Sequence, residues 1–256
     1  MNTKLLYLTM ALASAAPLHA ANIAWVSLHS SDDTASAAAS SATTGGFTNA
    51  PDRGYTQLLT SQGHTVTRFL SVDNIDTAVF ASDGVTPVLP AIQTNDLIII
   101  SRSVGSGQYQ QANETAAWNG ITKPMILLGG YITRGGTGGG SRLGLTAGET
   151  IPDNNSNNMR LKVNAPSHPI FAGVSLDSTN LMVNPFSRII TYTNAFNGAP
   201  ILQRGISVNN NSMASGGSAL AVVGTTGDAA INGPIIAEFP PGVVTTHFSD
   251  VLGGRR

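Results

Sequence analysis

The chain has 256 residues, and 13 Lys+Arg against 14 Asp+Glu leave a formal net charge of −1, which excludes a general binder of nucleic acid or anionic membranes, since these need a basic surplus. Charged residues make up only 11%, against about 25% in an average soluble domain, so Ser, Thr, Asn and Gly must wet the surface of a core that the 41% hydrophobic fraction can fill. Cysteine is absent, which removes disulfides, thiolate metal sites, iron–sulfur clusters and cysteine nucleophiles together.

Lys4 precedes an apolar run from Leu5 to Ala16, and Pro17-Leu18-His19-Ala20 ends in a small residue before Ala21. This is the layout of a secretory signal peptide, and the run is too short to span a bilayer, which takes about 20 apolar residues. The sequence therefore predicts a signal peptide over 1–20, a mature chain from Ala21, and a secreted or periplasmic location. No later segment is long and apolar enough to anchor the chain in a membrane.

Ile23–Leu28 reads as a buried strand, followed by a polar loop from His29 to Ala50. A helix opens at Pro51-Asp52-Arg53-Gly54-Tyr55, carries Tyr55, Leu58 and Leu59 at helical spacing, and closes at Gln62-Gly63-His64 with Gly at the stop position. Thr65–Leu70 alternates as a second strand. A short helical stretch is expected beyond Asp76 and another over Pro87–Gln93. Leu97–Ile100 is a continuous apolar run, the mark of a strand covered on both faces. Gln110–Asn119 reads as a helix stopped by Gly120, and Pro124–Leu128 as the next buried strand.

Strands separated by helices imply a mostly parallel sheet with helices on both faces. Ligands of such sheets bind beyond the carboxyl ends of the strands, which singles out the loops His29–Asp33, Ser101–Tyr109 and Gly129–Arg142. The second half is less regular. Strand candidates there are Met159–Val163, Leu181–Val183, Ile189–Tyr192, Pro200–Arg204, Ala219–Val223, Ile235–Phe239 and Val243–His247, with turn signals such as Asn197-Gly198 and Pro240-Pro241-Gly242 between them. No linker divides the halves, so these read as antiparallel additions to a single α/β domain over 21–256.

Five groups of residues carry a resemblance: Arg53-Gly54-Tyr55 through Leu58-Leu59 to Gly63-His64-Thr65-Val66; Asp96 through Ile100 to Ser101-Arg102-Ser103; Trp118-Asn119-Gly120-Ile121 with Lys123 through Leu128; Tyr131-Ile132-Thr133-Arg134 with Ser141-Arg142-Leu143-Gly144; and His168-Pro169-Ile170-Phe171-Ala172-Gly173. In this order, over 22–175, they resemble the class I glutamine amidotransferase-like superfamily, most closely its trehalose-utilisation (ThuA-like) branch of secreted bacterial proteins. The resemblance implies a flavodoxin-like, doubly wound core, with a further strand, helix or sorting tail beyond Arg256. It does not bring the amidotransferase chemistry: that family sets a Cys on a tight turn after a central strand, and the corresponding turn, Leu128-Gly129-Gly130-Tyr131, has none.

Arg102 and Ser103 directly follow the apolar strand, and an Arg there offers a fork for a carboxylate, phosphate or sugar hydroxyls; it could instead pair with an acid such as Asp32. Tyr131, Arg134 and Arg142 lie in the next loop on the same side, and converging Arg and Tyr side chains suit an anionic or sugar-like ligand, or else a structural network. His29, Asp32 and Asp33 have the donor types of a hard or borderline metal site, but their spacing fits no metal motif and Ser30 and Ser31 suggest a solvated turn. His64 and His168 read as structural, and His247 sits late, where a catalytic His could fall, but has no identifiable partner. The chain has no G-x-S-x-G elbow, and its run Gly135-Gly136-Thr137-Gly138-Gly139-Gly140 lacks the Lys-Ser/Thr of a phosphate loop.

The leading expectation is a secreted, non-catalytic domain that binds a small polar or carbohydrate-like molecule through Arg102, Ser103, Tyr131, Arg134 and Arg142, without a cofactor, nucleic acid or membrane span. The alternative is a metal- or carboxylate-assisted hydrolase of sugar derivatives using His29, Asp32 and Asp33. A cell-surface interaction module is the third reading.

Overall fold

The computed structural model describes residues 19–37, 46–71, 79–80, 88–133, 142–147, 150–154, 160–183, 192–193, 200–201, 205–208, 213–223 and 233–256. The expected signal peptide before His19, Arg134 and the glycine run over 135–140 lie outside them.

The first half is built on a five-stranded sheet. Its strands are β1 (Asn22–Ser27), β2 (Thr65–Ser71), β3 (Val79–Phe80), β4 (Leu97–Ile100) and β5 (Met125–Leu127), in the spatial order β3-β2-β1-β4-β5. The β1/β2, β1/β4 and β4/β5 pairs are parallel. β3 is antiparallel to β2, so Val79 and Phe80 extend a strand edge where the sequence suggested helix. The crossovers are α1 (Arg53–Ser61), α2 (Leu89–Ile92) and α3 (Ala112–Asn119).

Alternation along β1 and β4 feeds two cores. Ala24, Val26, Ile98 and Ile100 face one side, where Leu89 and Ile92 of α2 and Trp118 of α3 pack on them. Ile23, Trp25 and Ile99 face the other, against Leu59 of α1. Each such side chain contributes about 1.5–3 kcal/mol by leaving water. Trp25 also stacks on Tyr55, centroid to centroid at 6.0 Å. Leu58 turns out to solvent, 58% exposed. α1 stops where expected, since Gly63 has φ +89, a left-handed conformation that glycine adopts without Cβ strain.

The second half is antiparallel, as expected, in smaller pieces. β7 (Leu161–Val163), β11 (Ser218–Val223) and β12 (Pro234–Glu238) form a sheet in the order β12-β11-β7. β6 (Thr150–Asn154) pairs with β10 (Gly205–Val208), and β8 (Tyr192–Thr193) with β9 (Pro200–Ile201). β6 thus falls where no strand candidate was expected. Leu181, Met182 and Val244 make only isolated bridges rather than the strands expected there.

The last residues form the seam between the halves. Met125 N–H of β5 donates to Arg255 O at 2.9 Å, and Phe239, just after β12, exchanges two hydrogen bonds of 2.8 Å with Arg256. The buried Arg256 guanidinium donates to Trp118 O, Asn119 O and Ile121 O at 3.0–3.2 Å, adding a donor at the end of α3 to the Ile121 N–H on Trp118 O and the Gly253 N–H on Asn119 O. Burial lowers its pKa to about 10. One core cluster consequently contains Ala24 and Ile98 together with Phe239, Val243 and Leu252.

Candidate functional site

The carboxyl ends of β1 and β4 converge on Asp52, the residue that precedes α1. An Asp in that position ordinarily caps the helix; here it makes no side-chain cap and points into the sheet. Its Oδ2 accepts hydrogen bonds from Trp25 Nε1 at 2.9 Å, Ser27 Oγ at 2.8 Å and Ser101 Oγ at 2.9 Å. Its Oδ1 accepts from Arg68 Nη2 at 2.9 Å. Burial pushes the Asp52 carboxyl up, but the hydrogen bonds from Arg68, Trp25 and Ser27 and the charge of Arg68 outweigh it and hold the pKa below the ordinary value.

Arg68 spreads the network. Its Nε donates to Asp32 Oδ1 at 2.7 Å and its Nη1 to the His29 carbonyl at 3.3 Å, while Thr56 Oγ1 donates to the same Asp32 oxygen at 2.7 Å. Asp32 therefore pairs with Arg68 and not with Arg102. Sequence reasoning missed Arg68 and Asp52. The available signal was an arginine in register with Trp25 across β1 and β2, on a strand whose apolar neighbours mark it as packed.

The three residues of the metal alternative are not brought together as ligands. His29 is buried at 1% exposure, its Nδ1 accepting from Ser36 N–H at 2.9 Å. Asp32 is held by Arg68, and the Asp33 side chain is 85% exposed, 3.7 Å from Arg53 Nη1. Among the described residues no group of three His, Asp or Glu side chains is placed to hold a metal ion.

The loops singled out for ligand binding do meet. Leu28 N–H donates to Ser103 O at 2.7 Å, and Ser103 N–H to Ser101 Oγ at 2.8 Å, joining the ends of β1 and β4. The 3₁₀ turn Ser106–Tyr109 packs on the turn Gly130–Ile132, which carries the half-buried Tyr131. Arg142 is 7% exposed and its Nε donates to Ser106 O at 3.1 Å, so it braces the loops from beneath rather than reaching into solvent. Arg102 is exposed and, among the described residues, has no hydrogen-bond or ion-pair partner. Tyr109, fully buried beneath them, shares a 3.1 Å hydrogen bond with Ser71.

His64 and His168 have structural roles: His64 Nδ1 accepts from Ala21 N–H at 3.2 Å, and His168 caps the turn Pro169–Phe171 and lies 3.5 Å from Glu238. The ring of His247 packs edge-on against Phe248.

A cavity of about 710 Å³ lies elsewhere, between β5 and β12. Its walls include Leu97, Ile126, Leu128, Ile170 and Ile235. Ile126 and Leu128 are 44% and 39% exposed, so β5 is not the doubly covered strand its sequence suggested. Arg102, Ser103, Tyr131 and Arg142 are not among its described lining residues. Among the described residues no helix is long and apolar enough to cross a membrane.

No family model, curated protein or solved structure matches this chain.

Proposed function

We propose that the protein is an exported, non-catalytic α/β domain of flavodoxin-like, doubly wound and amidotransferase-like architecture, which binds a small polar or carbohydrate-like ligand beyond the carboxyl ends of β1 and β4. The observation that carries this reading is the exposed guanidinium of Arg102, which has no hydrogen-bond or ion-pair partner among the described residues. It lies in a segment held by the hydrogen bond from Ser103 N–H to Ser101 Oγ, and the following turn Ser106–Tyr109, braced by Arg142, packs on the turn that bears Tyr131. The strand order puts that loop at the gap between β1 and β4, where the chain leaves in opposite directions and open α/β sheets bind their ligands.

The backbone supports a binding role over a hydrolytic one. Nucleophile elbows need a strained turn, whereas no residue from 128 to 131 has positive φ and no Cys is available. Asp52 and Asp32, the acids nearest the strand ends, are already engaged by Arg68.

Thermal-shift screening against neutral sugars, sugar acids and sugar phosphates tests the proposal. A ligand that raises the Tm of the wild type is expected to bind about 10–100-fold more weakly to Arg102→Ala, the loss of one charge-assisted hydrogen bond, while the ligand-free Tm stays unchanged. No shift from any of these compounds, or equal affinity in the variant, contradicts the assignment.

A further inference from the structure

His29 is the first residue of the loop that leaves β1, and every polar group of it but one is engaged. Its N–H donates to Ser27 Oγ at 3.2 Å and its carbonyl accepts from Arg68 Nη1 at 3.3 Å. Its Nδ1 accepts the Ser36 N–H at 2.9 Å, tying the far end of the loop back to the sheet. Nε2 is buried and, among the described residues, has no hydrogen-bond partner. With Nδ1 acting as acceptor, the neutral ring carries its proton on Nε2.

A second proton would have to sit on Nδ1, where it would face the Ser36 N–H, donor against donor. It would also create a cation in a site 1% exposed to solvent, with no acceptor at either ring nitrogen. The charged groups around the ring do not favour that cation enough. Asp52 attracts it, yet both Asp52 oxygens are taken by Trp25, Ser27, Ser101 and Arg68. Arg68 repels it, and Asp32, on the same loop, is bound to Arg68. Burial, with Arg68 adding to it and Asp52 opposing it, accordingly lowers the His29 pKa from 6.5.

We propose that His29 is an acid-sensitive latch: the neutral ring holds the loop over 29–37 closed on the Asp52–Arg68 hub, and protonation releases the Ser36 end. The released ring is hydrated and keeps its proton, and the Ser36 amide passes to water. Release needs no metal, cofactor or partner, and it does not depend on the ligand proposed above.

The sign of the effect follows from linkage. The open loop binds the proton more tightly, so the closed form is fully stable above the ordinary value of 6.5 and loses stability as pH falls below it. In that window opening becomes more favourable by up to about tenfold per pH unit. Hydrogen exchange of the Ser36 amide, expressed as a protection factor, reads this directly on the full chain, and the ¹⁵N shifts of the His29 ring report its protonation in the same samples. Protection of Ser36 is expected to fall progressively as pH drops below 6.5, with the ring gaining its proton at lower pH, once the open form is populated. His29→Asn places an amide oxygen where Nδ1 accepts and cannot titrate, so its Ser36 protection is expected to be independent of pH in this range. Protection that stays constant as pH falls below 6.5 and the wild-type ring titrates overturns the proposal, as does the same fall in His29→Asn. The comparison within the wild type decides the matter even if the variant fails to fold.

Discussion

Asp52 and Arg68 are 4% and 8% exposed, in a chain with few charges to spare. Removing one member of a buried, hydrogen-bonded pair strands the other in a poor solvent, at a cost of about 3–5 kcal/mol. Asp52→Asn is expected to show that loss in denaturant unfolding at neutral pH; a change below about 1 kcal/mol would mean that water reaches the pair. Because the Asp52 pKa is held down, its contribution is complete above the unfolded value of 3.8 and disappears as pH falls from there through the folded value. The gap between wild type and variant should therefore narrow in acid. Residues of this kind were poorly legible. Asp52 reads locally as a helix cap and Arg68 as one polar position in an alternating strand, and only folding brings residues 25, 27, 52, 68 and 101 to one point. Arg102 was legible because its position after a continuous apolar strand decides its place at the sheet end, whereas nothing in the same sequence says that Arg142 faces inward to Ser106.

At the scale of elements, long apolar runs and glycine stops were reliable signals. Leu97–Ile100 forms β4 as read, and α1 and α3 end beside Gly63 and Gly120. The short strands of the second half carry too few residues for periodicity to distinguish them from turns, which is why Thr150–Asn154 was missed and Leu181–Val183 overcalled. The passage of Leu252–Arg256 was also hidden, although its two glycines were in view. A Cβ on Gly253 would collide with the Gly120 carbonyl, and one on Gly254 with the Lys123 carbonyl; backbone cannot give way as a flexible side chain can. Gly254→Ala should therefore lower the Tm clearly more than Gly242→Ala, where nothing lies within 4 Å but φ is +87. Arg256→Ala, which removes a buried donor from the carbonyls of Trp118, Asn119 and Ile121, should cost about 1–3 kcal/mol in chemical unfolding. Tm losses that rank the other way, or an Arg256→Ala variant as stable as wild type, would mean that the seam is loosely packed.

Taken whole, the molecule presents two different surfaces to small molecules. One is the polar platform at the ends of β1 and β4, where Arg102 has no partner among the described residues. The other is the apolar cavity between β5 and β12. Recognition of a polar ligand is proposed at the first, where Arg102 is exposed at the sheet end, whereas aliphatic side chains make up most of the cavity wall, which His168, Glu238 and Arg255 also line. Backbone amide NMR of the ¹⁵N-labelled protein, titrated with the sugar, sugar acid or sugar phosphate that most raises its Tm, locates the ligand without assuming a site. Shift changes are expected to concentrate at residues 101–109 and to vanish in Arg102→Ala. Changes concentrated at Ile126, Leu128, Ile170 and Ile235 would contradict that assignment.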